Sequence, residues 1–191
     1  MDLDFSSLQN ALIMLGQRLD RSKQHYEIVA IGGASLVLLG YIDRTTKDID
    51  LVALMEAGRL ISAKPLPKAL LKEIALIGSA LEMGEHWVNS GPASLLEAGL
   101  PEGFEERLVS HKYDGLTVHF AGRLDQICFK LYAAVDQGPA SKHFADLKRL
   151  EPTQRELLTA KKWCLGQDVS LEFSVMLGEA LSAFGVEHGK D

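Results

Sequence analysis

The stretch Ile28-Val-Ala-Ile-Gly-Gly-Ala-Ser-Leu-Val-Leu-Leu-Gly-Tyr-Ile-Asp-Arg-Thr-Thr-Lys-Asp-Ile-Asp-Leu-Val-Ala-Leu54 sets the reading of the whole chain. It starts as an apolar, β-branched run of the kind that fills a buried strand. Gly32-Gly33 then turn the chain into an apolar segment, Ala34 to Tyr41, long enough for two helical turns. A polar connection, Asp43 to Lys47, leads into a second short strand, Asp48 to Leu54. The unit reads strand, glycine turn, helix, strand, with two aspartates at the mouth of the second strand.

Side chains at i and i+2 of a strand share a face, so Asp48 and Asp50 are expected side by side, roughly 6.5 Å apart at Cα. Ile49 and Leu51 are then expected to point into the core. Two carboxylates so placed repel each other unless a cation lies between them. Hard divalent cations such as Mg²⁺ take carboxylate oxygens together with substrate phosphates. Gly32-Gly33 ahead of a helix N-terminus offer close backbone approach and N–H groups for a phosphate, and the Ser35 hydroxyl adds a donor.

This arrangement resembles the nucleotidyltransferase superfamily, the polymerase-β-like fold, whose signature is a hydrophobic strand ending in Gly-Gly or Gly-Ser, a helix, then Asp-hydrophobic-Asp. The matching pieces are Gly32-Gly33-Ala34-Ser35 and Asp48-Ile49-Asp50, separated by the fourteen residues Ala34 to Lys47, long for that superfamily. The lead-in Arg44-Thr45-Thr46-Lys47 is similar to the Arg-x-Ser/Thr-x-Asp form. That form marks the branch of abortive-infection and toxin–antitoxin nucleotidyltransferases and related uncharacterised bacterial proteins. The resemblance implies an α+β fold: a mixed β-sheet flanked by helices, with C-terminal helices. It divides the chain into a core over residues 1–125 and a C-terminal helical region over 126–191 packed on it as one compact unit.

At 191 residues, 47% apolar and 24% charged, the composition is that of an ordinary globular protein. A net charge of −6 argues against nonspecific binding to a nucleic-acid backbone, though a local basic groove remains compatible with it. Cys128 and Cys164 give neither metal spacing nor a disulfide framework, which fits a reducing cytoplasm. The acidic, polar start has no basic n-region, so no signal peptide is expected. The longest apolar run, Ile28 to Ile42, is interrupted by glycine and too short for a membrane span.

Phe5, Leu8, Leu12, Leu15 and Leu19 form an amphipathic helical stripe with Asp4 as N-cap. Glu56 to Arg59 reads as a turn. Lys64-Pro-Leu-Pro67 lead into a second amphipathic helix whose buried face is Leu70, Leu71, Ile74, Ile77 and Leu81. Lys68 and Lys72 lie toward its other face, on solvent or on substrate phosphates. Gly84 to Gly103 reads as loop. Within it Trp87 is assigned to the core, with stacking on a nucleobase as the alternative. A Trp-hydrophobic-Asn element recurs in the resembled branch, which singles out Asn89 without giving it a role.

Glu106 to Ala121 reads as a hairpin around Asp114-Gly115. Leu116, Val118 and Phe120 share one face; Thr117, His119 and Ala121 share the other. The resemblance implies a third carboxylate on a strand next to the Asp-x-Asp strand, yet Leu116 to Leu124 contains no acid. Asp125 is either a displaced third ligand or the N-cap of the next helix, the cap being favoured. His119 is either a general base or a structural histidine.

Arg123 to Asp136 reads as a helix with a stripe of Ile127, Leu131 and Ala134, and Lys142 to Leu150 as another. Lys130, Lys142 and Asp146 match the resembled branch, which implies a lysine over the triphosphate and an ion pair fixing it. An Asp146–Arg149 helix salt bridge is the plain alternative. The tail reads as two helices, about Thr153 to Leu165 with a Thr153/Glu156 capping box, and about Leu171 to Phe184 capped by Asp168 or Ser170. They are expected to close one sheet edge or to form a dimer or partner interface.

The resemblance therefore implies Mg²⁺-dependent (or Mn²⁺-dependent) transfer of a nucleoside monophosphate from an NTP such as ATP to a hydroxyl acceptor on RNA (a tRNA end included), a protein or a small molecule. Asp48 and Asp50 would be the metal ligands and catalytic pair. Gly32, Gly33, Ser35 and Lys130 would bind nucleotide. Arg44, Asn89, His119, Asp125, Lys142 and Asp146 are secondary candidates. A non-catalytic nucleotide-binding or interaction module, such as half of a toxin–antitoxin pair, is the alternative, with a cognate partner protein or a second copy as its partner. A dinucleotide-binding oxidoreductase is disfavoured, because the third glycine of that fingerprint is missing.

Overall fold

A computed structural model describes residues 2–186. The chain divides into two compact units, Met1–Ala121 and Gly122–Asp191. The fold is the expected α+β class.

In the first unit, helix α1 (Phe5–Arg21) starts where Asp4 accepts the Ser7 N–H at 2.8 Å. It buries Leu8, Leu12, Leu15 and Leu19, whereas Phe5, placed in the stripe from its spacing, sits in the first turn and is exposed. Strand β1 (Tyr26–Ile31) enters α2 (Gly32–Leu38) directly at the glycine pair. The helix thus begins two residues earlier than its apolar run suggests and ends before Tyr41. Gly33 to Leu38 are all buried, so α2 is a core helix rather than an amphipathic one.

Strand β2 (Ile49–Glu56) runs antiparallel to β1, with Ile31 opposite Asp50. Partner positions pass from Val29↔Ala53 to Ala30↔Leu51, which leaves Val52 as the extra residue of a bulge. Glu56 to Arg59 is the turn of a hairpin into β3 (Arg59–Ser62), with Ala57 and Gly58 both at positive φ. Helix α3 (Lys68–Ala80) buries Leu70, Ile74 and Ile77. Leu71 faces solvent instead, because Glu73 and Gly78 take part of the inward stripe, Glu73 meeting the Arg18 guanidinium at 2.6 Å.

The segment read as loop contains strand β4 (Val88–Asn89) and helix α4 (Ser94–Ala98). Strands β5 (Val109–Tyr113) and β6 (Leu116–Phe120) form the expected hairpin. Among the described residues the sheet has six strands in the order β3-β2-β1-β6-β5, with β4 pairing the start of β2. Strand β6 is therefore not next to the Asp-x-Asp strand, as the resemblance implied for a third carboxylate; β1 lies between them. Leu116, Val118, Phe120, Ile28, Ala30, Ile49 and Leu51 make the buried layer. Gly16 is required by proximity: a Cβ there would lie inside the Tyr113 carbonyl, where α1 crosses β5.

The second unit consists of α5 (Arg123–Gln137), α6 (Lys142–Arg149), α7 (Gln154–Gln167) and α8 (Leu171–Ser182). Ser141, Thr153 and Ser170 cap the last three, and Thr153 with Glu156 forms a full capping box. Asp125 is not a cap. Helix α5 starts from Gly122, and Asp125 sits fully buried in its first turn. Among the described residues no helix is long and apolar enough to cross a membrane.

Candidate functional site

The period of two along β2 puts Ile49 and Leu51 wholly inside and leaves Asp48 and Asp50 half-buried on the opposite face. The two carboxylates meet at one atom. The amide nitrogen of Asn89 donates to Asp48 Oδ2 and to Asp50 Oδ1, at 3.1 Å each. Those oxygens are therefore no further apart than about twice that length. Asn89 reaches them because β4 runs parallel to β2 with Asn89 in register with Asp50, an alignment fixed by the Ile49 N–H on the Trp87 carbonyl at 2.7 Å. Its own amide oxygen accepts the Gly91 N–H at 2.8 Å.

The glycine pair closes the site from the β1 side. Gly32 has φ +79, and a Cβ on it would come 2.9 Å from Asp50 Oδ2. Glycine is needed there both for the backbone and for the carboxylate. A Cβ on Gly33 would come 2.8 Å from Arg44 Nη2 and 3.0 Å from Thr46 Oγ1. The polar lead-in thus folds back over the glycine elbow. Arg44 donates to the Thr45 carbonyl at 2.6 Å, and Thr46 pairs with Leu3 through two backbone hydrogen bonds that hold the lead-in to the N-terminal segment. Ser35 lies in the core side of α2 with no exposed surface, and its hydroxyl has no partner.

Trp87 is a core residue, 1% exposed, with Nε1 donating to the Ile74 carbonyl at 2.9 Å. His119 has both ring nitrogens engaged, Nδ1 with Ser110 Oγ at 2.7 Å and Nε2 with Glu27 Oε2 at 2.8 Å. A carboxylate only accepts, so Nε2 donates to Glu27. Two residues along, on the same face, Ala121 donates its N–H to the Ala30 carbonyl at 3.0 Å and so falls level with Ile31 and Asp50. An alanine thus stands in the line where β6 could have offered a third acid. Among the described residues no three His, Cys, Asp or Glu side chains converge to hold a metal.

In the second unit, Lys130 Nζ lies 2.8 Å from Asp146 Oδ2, with both side chains almost wholly buried. Arg149 approaches the other oxygen of Asp146 at 3.9 Å, so the helix salt bridge and the lysine pair coexist. Lys142, in contrast, is exposed on the first turn of α6. The Cys164 thiol is pushed well above the usual thiol range by burial and then by Cys128 beside it, which makes it a packing residue.

Sequence reasoning placed the carboxylates together but gave no function to Asn89. The signal was an asparagine two residues from a buried tryptophan, and its meaning appears only with the β2–β4 pairing. The model of a family described as nucleotidyltransferase of unknown function (DUF6036) matches residues 8–139. That span includes both glycines, both aspartates, Asn89 and Lys130, and ends before Lys142 and Asp146. No curated protein and no solved structure matches the chain.

Proposed function

The chain belongs to this family of nucleotidyltransferases of unknown function, and on that premise we propose that it transfers a nucleoside monophosphate from an NTP to a hydroxyl acceptor with Mg²⁺ or Mn²⁺ as cofactor. The observation that carries the reading is the convergence of Asp48 and Asp50 on one point beside Gly32.

The donor set fits a hard divalent cation. Both groups are carboxylates, they reach a common atom, and glycine at 32 spares Asp50 Oδ2 a Cβ that would come 2.9 Å from it. Asp48 and Asp50 would hold the ion. Bound there, it would neutralise charge on the phosphates and on the attacking oxygen. Gly32, only half-buried, would let a polyphosphate approach the main chain, and the Arg44 guanidinium lying over the buried Gly33 would be a planar donor group for it. The assignment of Lys130 to the triphosphate and a cognate partner protein rest on the resemblance, that of Ser35 on its hydroxyl just after the glycine pair, and a cytoplasmic setting on the two isolated cysteines.

A second reading, nucleotide binding without transfer, draws on one observation: the position level with Asp50 on the far side of β1 is Ala121. Incubation with labelled NTPs and total cellular RNA and protein separates the two. Transfer of label by the wild type and its loss in Asp48→Asn/Asp50→Asn support the first. Metal-dependent NTP binding without transfer supports the second. Metal-independent behaviour contradicts both.

A further inference from the structure

The amide nitrogen of Asn89 stands between the two aspartates of the proposed cation site, hydrogen-bonded to both. Its orientation is fixed from two directions. Ionised carboxylates only accept, so nitrogen must face them; the Gly91 N–H only donates, so oxygen must face it. The side chain has little slack. Its backbone is paired in register with Asp50, and a Cβ on Gly91 would come 3.0 Å from Asn89 Oδ1. Turning the amide over would put nitrogen against the Gly91 N–H, donor against donor.

We propose that Asn89 is a latch on the cation site: its amide holds the place between Asp48 and Asp50 that a shared divalent cation takes, so that ion and amide compete. This rests on the reading of those carboxylates as the cation site. Two charge-assisted hydrogen bonds must break before the ion can bridge the pair. The same displacement is needed whether the ion comes alone or on a nucleotide. Only the nucleotide complex also gains contacts at Gly32 and Arg44 to offset it. The latch thus sets the site to reject the free ion and accept the ion–nucleotide complex. In the meantime it screens two like charges from each other. Asn89 is a positioning residue here; it acts through the aspartates.

The test is Mn²⁺ titration of the whole chain, read by calorimetry and by the electron-spin signal of free Mn²⁺, with and without ATP. The proteins are wild type, Asn89→Ala, Asn89→Ser and Asp48→Asn/Asp50→Asn. Loss of a competing hydrogen-bond donor of ordinary worth predicts that Asn89→Ala binds Mn²⁺ about fivefold tighter than wild type. Binding by the variant where wild type shows none counts the same way. A residue that merely supports the site would move affinity the other way, so unchanged or weaker binding overturns the latch. Should Asn89→Ala fail to fold, Asn89→Ser is judged by the same criterion. If Mn²⁺ binding disappears in the double aspartate variant while the Asn89 variants gain nothing, the latch falls and the cation site stands. If wild type binds Mn²⁺, alone or with ATP, and the double aspartate variant binds it equally well, both fall.

Discussion

Asp48 with Asp50, and Lys130 with Asp146, are charged pairs of opposite design. The first places two like charges half in solvent and joins them by a neutral amide. The second places opposite charges 2.8 Å apart in a nearly dry interior. Electrostatics makes the first arrangement unfavourable on its own and the second self-sufficient. A fold has no stability reason to keep a half-exposed carboxylate pair beside a glycine, whereas a buried lysine–aspartate pair needs no ligand to account for it. The comparison separates a site from a strut: the strut should fail when one member is lost, and the site should hardly notice.

The strongest way to break that contrast is Asp146→Ala. Taking the Asp146 carboxylate away from the buried Lys130 should cost about 3–5 kcal/mol of unfolding free energy, measured by urea denaturation. Lys130→Met/Asp146→Leu should recover most of the loss. A cost under about 1 kcal/mol for the single variant would show that Lys130 is not anchored as the structure has it. Gly32→Ala is next. A side chain at φ +79 should cost about 1–2 kcal/mol and, by crowding Asp50, weaken Mn²⁺ binding. Asp48→Asn should leave stability unchanged or raise it by less than about 1 kcal/mol while removing cation binding.

The smallest effect concerns a third pair, Arg123–Glu156, at 2.8 Å and partly exposed. Burial pushes the Glu156 carboxyl up, but hydrogen bonds from Arg123 and Thr153 outweigh it and hold the group below the usual carboxylate range. A lowered carboxyl contributes stability above its unfolded pKa and loses it as pH falls through the folded one. The stability advantage of wild type over Glu156→Gln should therefore be fullest near neutral pH and shrink on acidification. An advantage that grows toward acid would contradict the assignment.

The glycine elbow and the Asp-x-Asp strand were legible because their signals are local: a change of period at Gly32-Gly33, and alternation through Ile49 and Leu51. Strands β3 and β4 were not. Arg59–Ser62 and Val88–Asn89 are too short to show a period, and each exists only by pairing with β2. The function of Asn89 was hidden for the same reason. Phe5 and Leu71 have the right spacing but sit where their helices leave the core, which a periodicity cannot see. Asp125 looked like a cap because aspartate favours that position; Gly122 takes it instead, since the helix begins immediately after the sheet ends. The Lys130–Asp146 pair was legible through family resemblance rather than residue pattern.

The measurement that bears most directly on the central claim is Mn²⁺ binding in the presence and absence of a non-hydrolysable NTP, for wild type and Asp48→Asn/Asp50→Asn. The account predicts that the nucleotide tightens Mn²⁺ binding to wild type and that the double variant, still folded, loses the effect. Nucleotide-linked Mn²⁺ binding that survives in the double variant would contradict it.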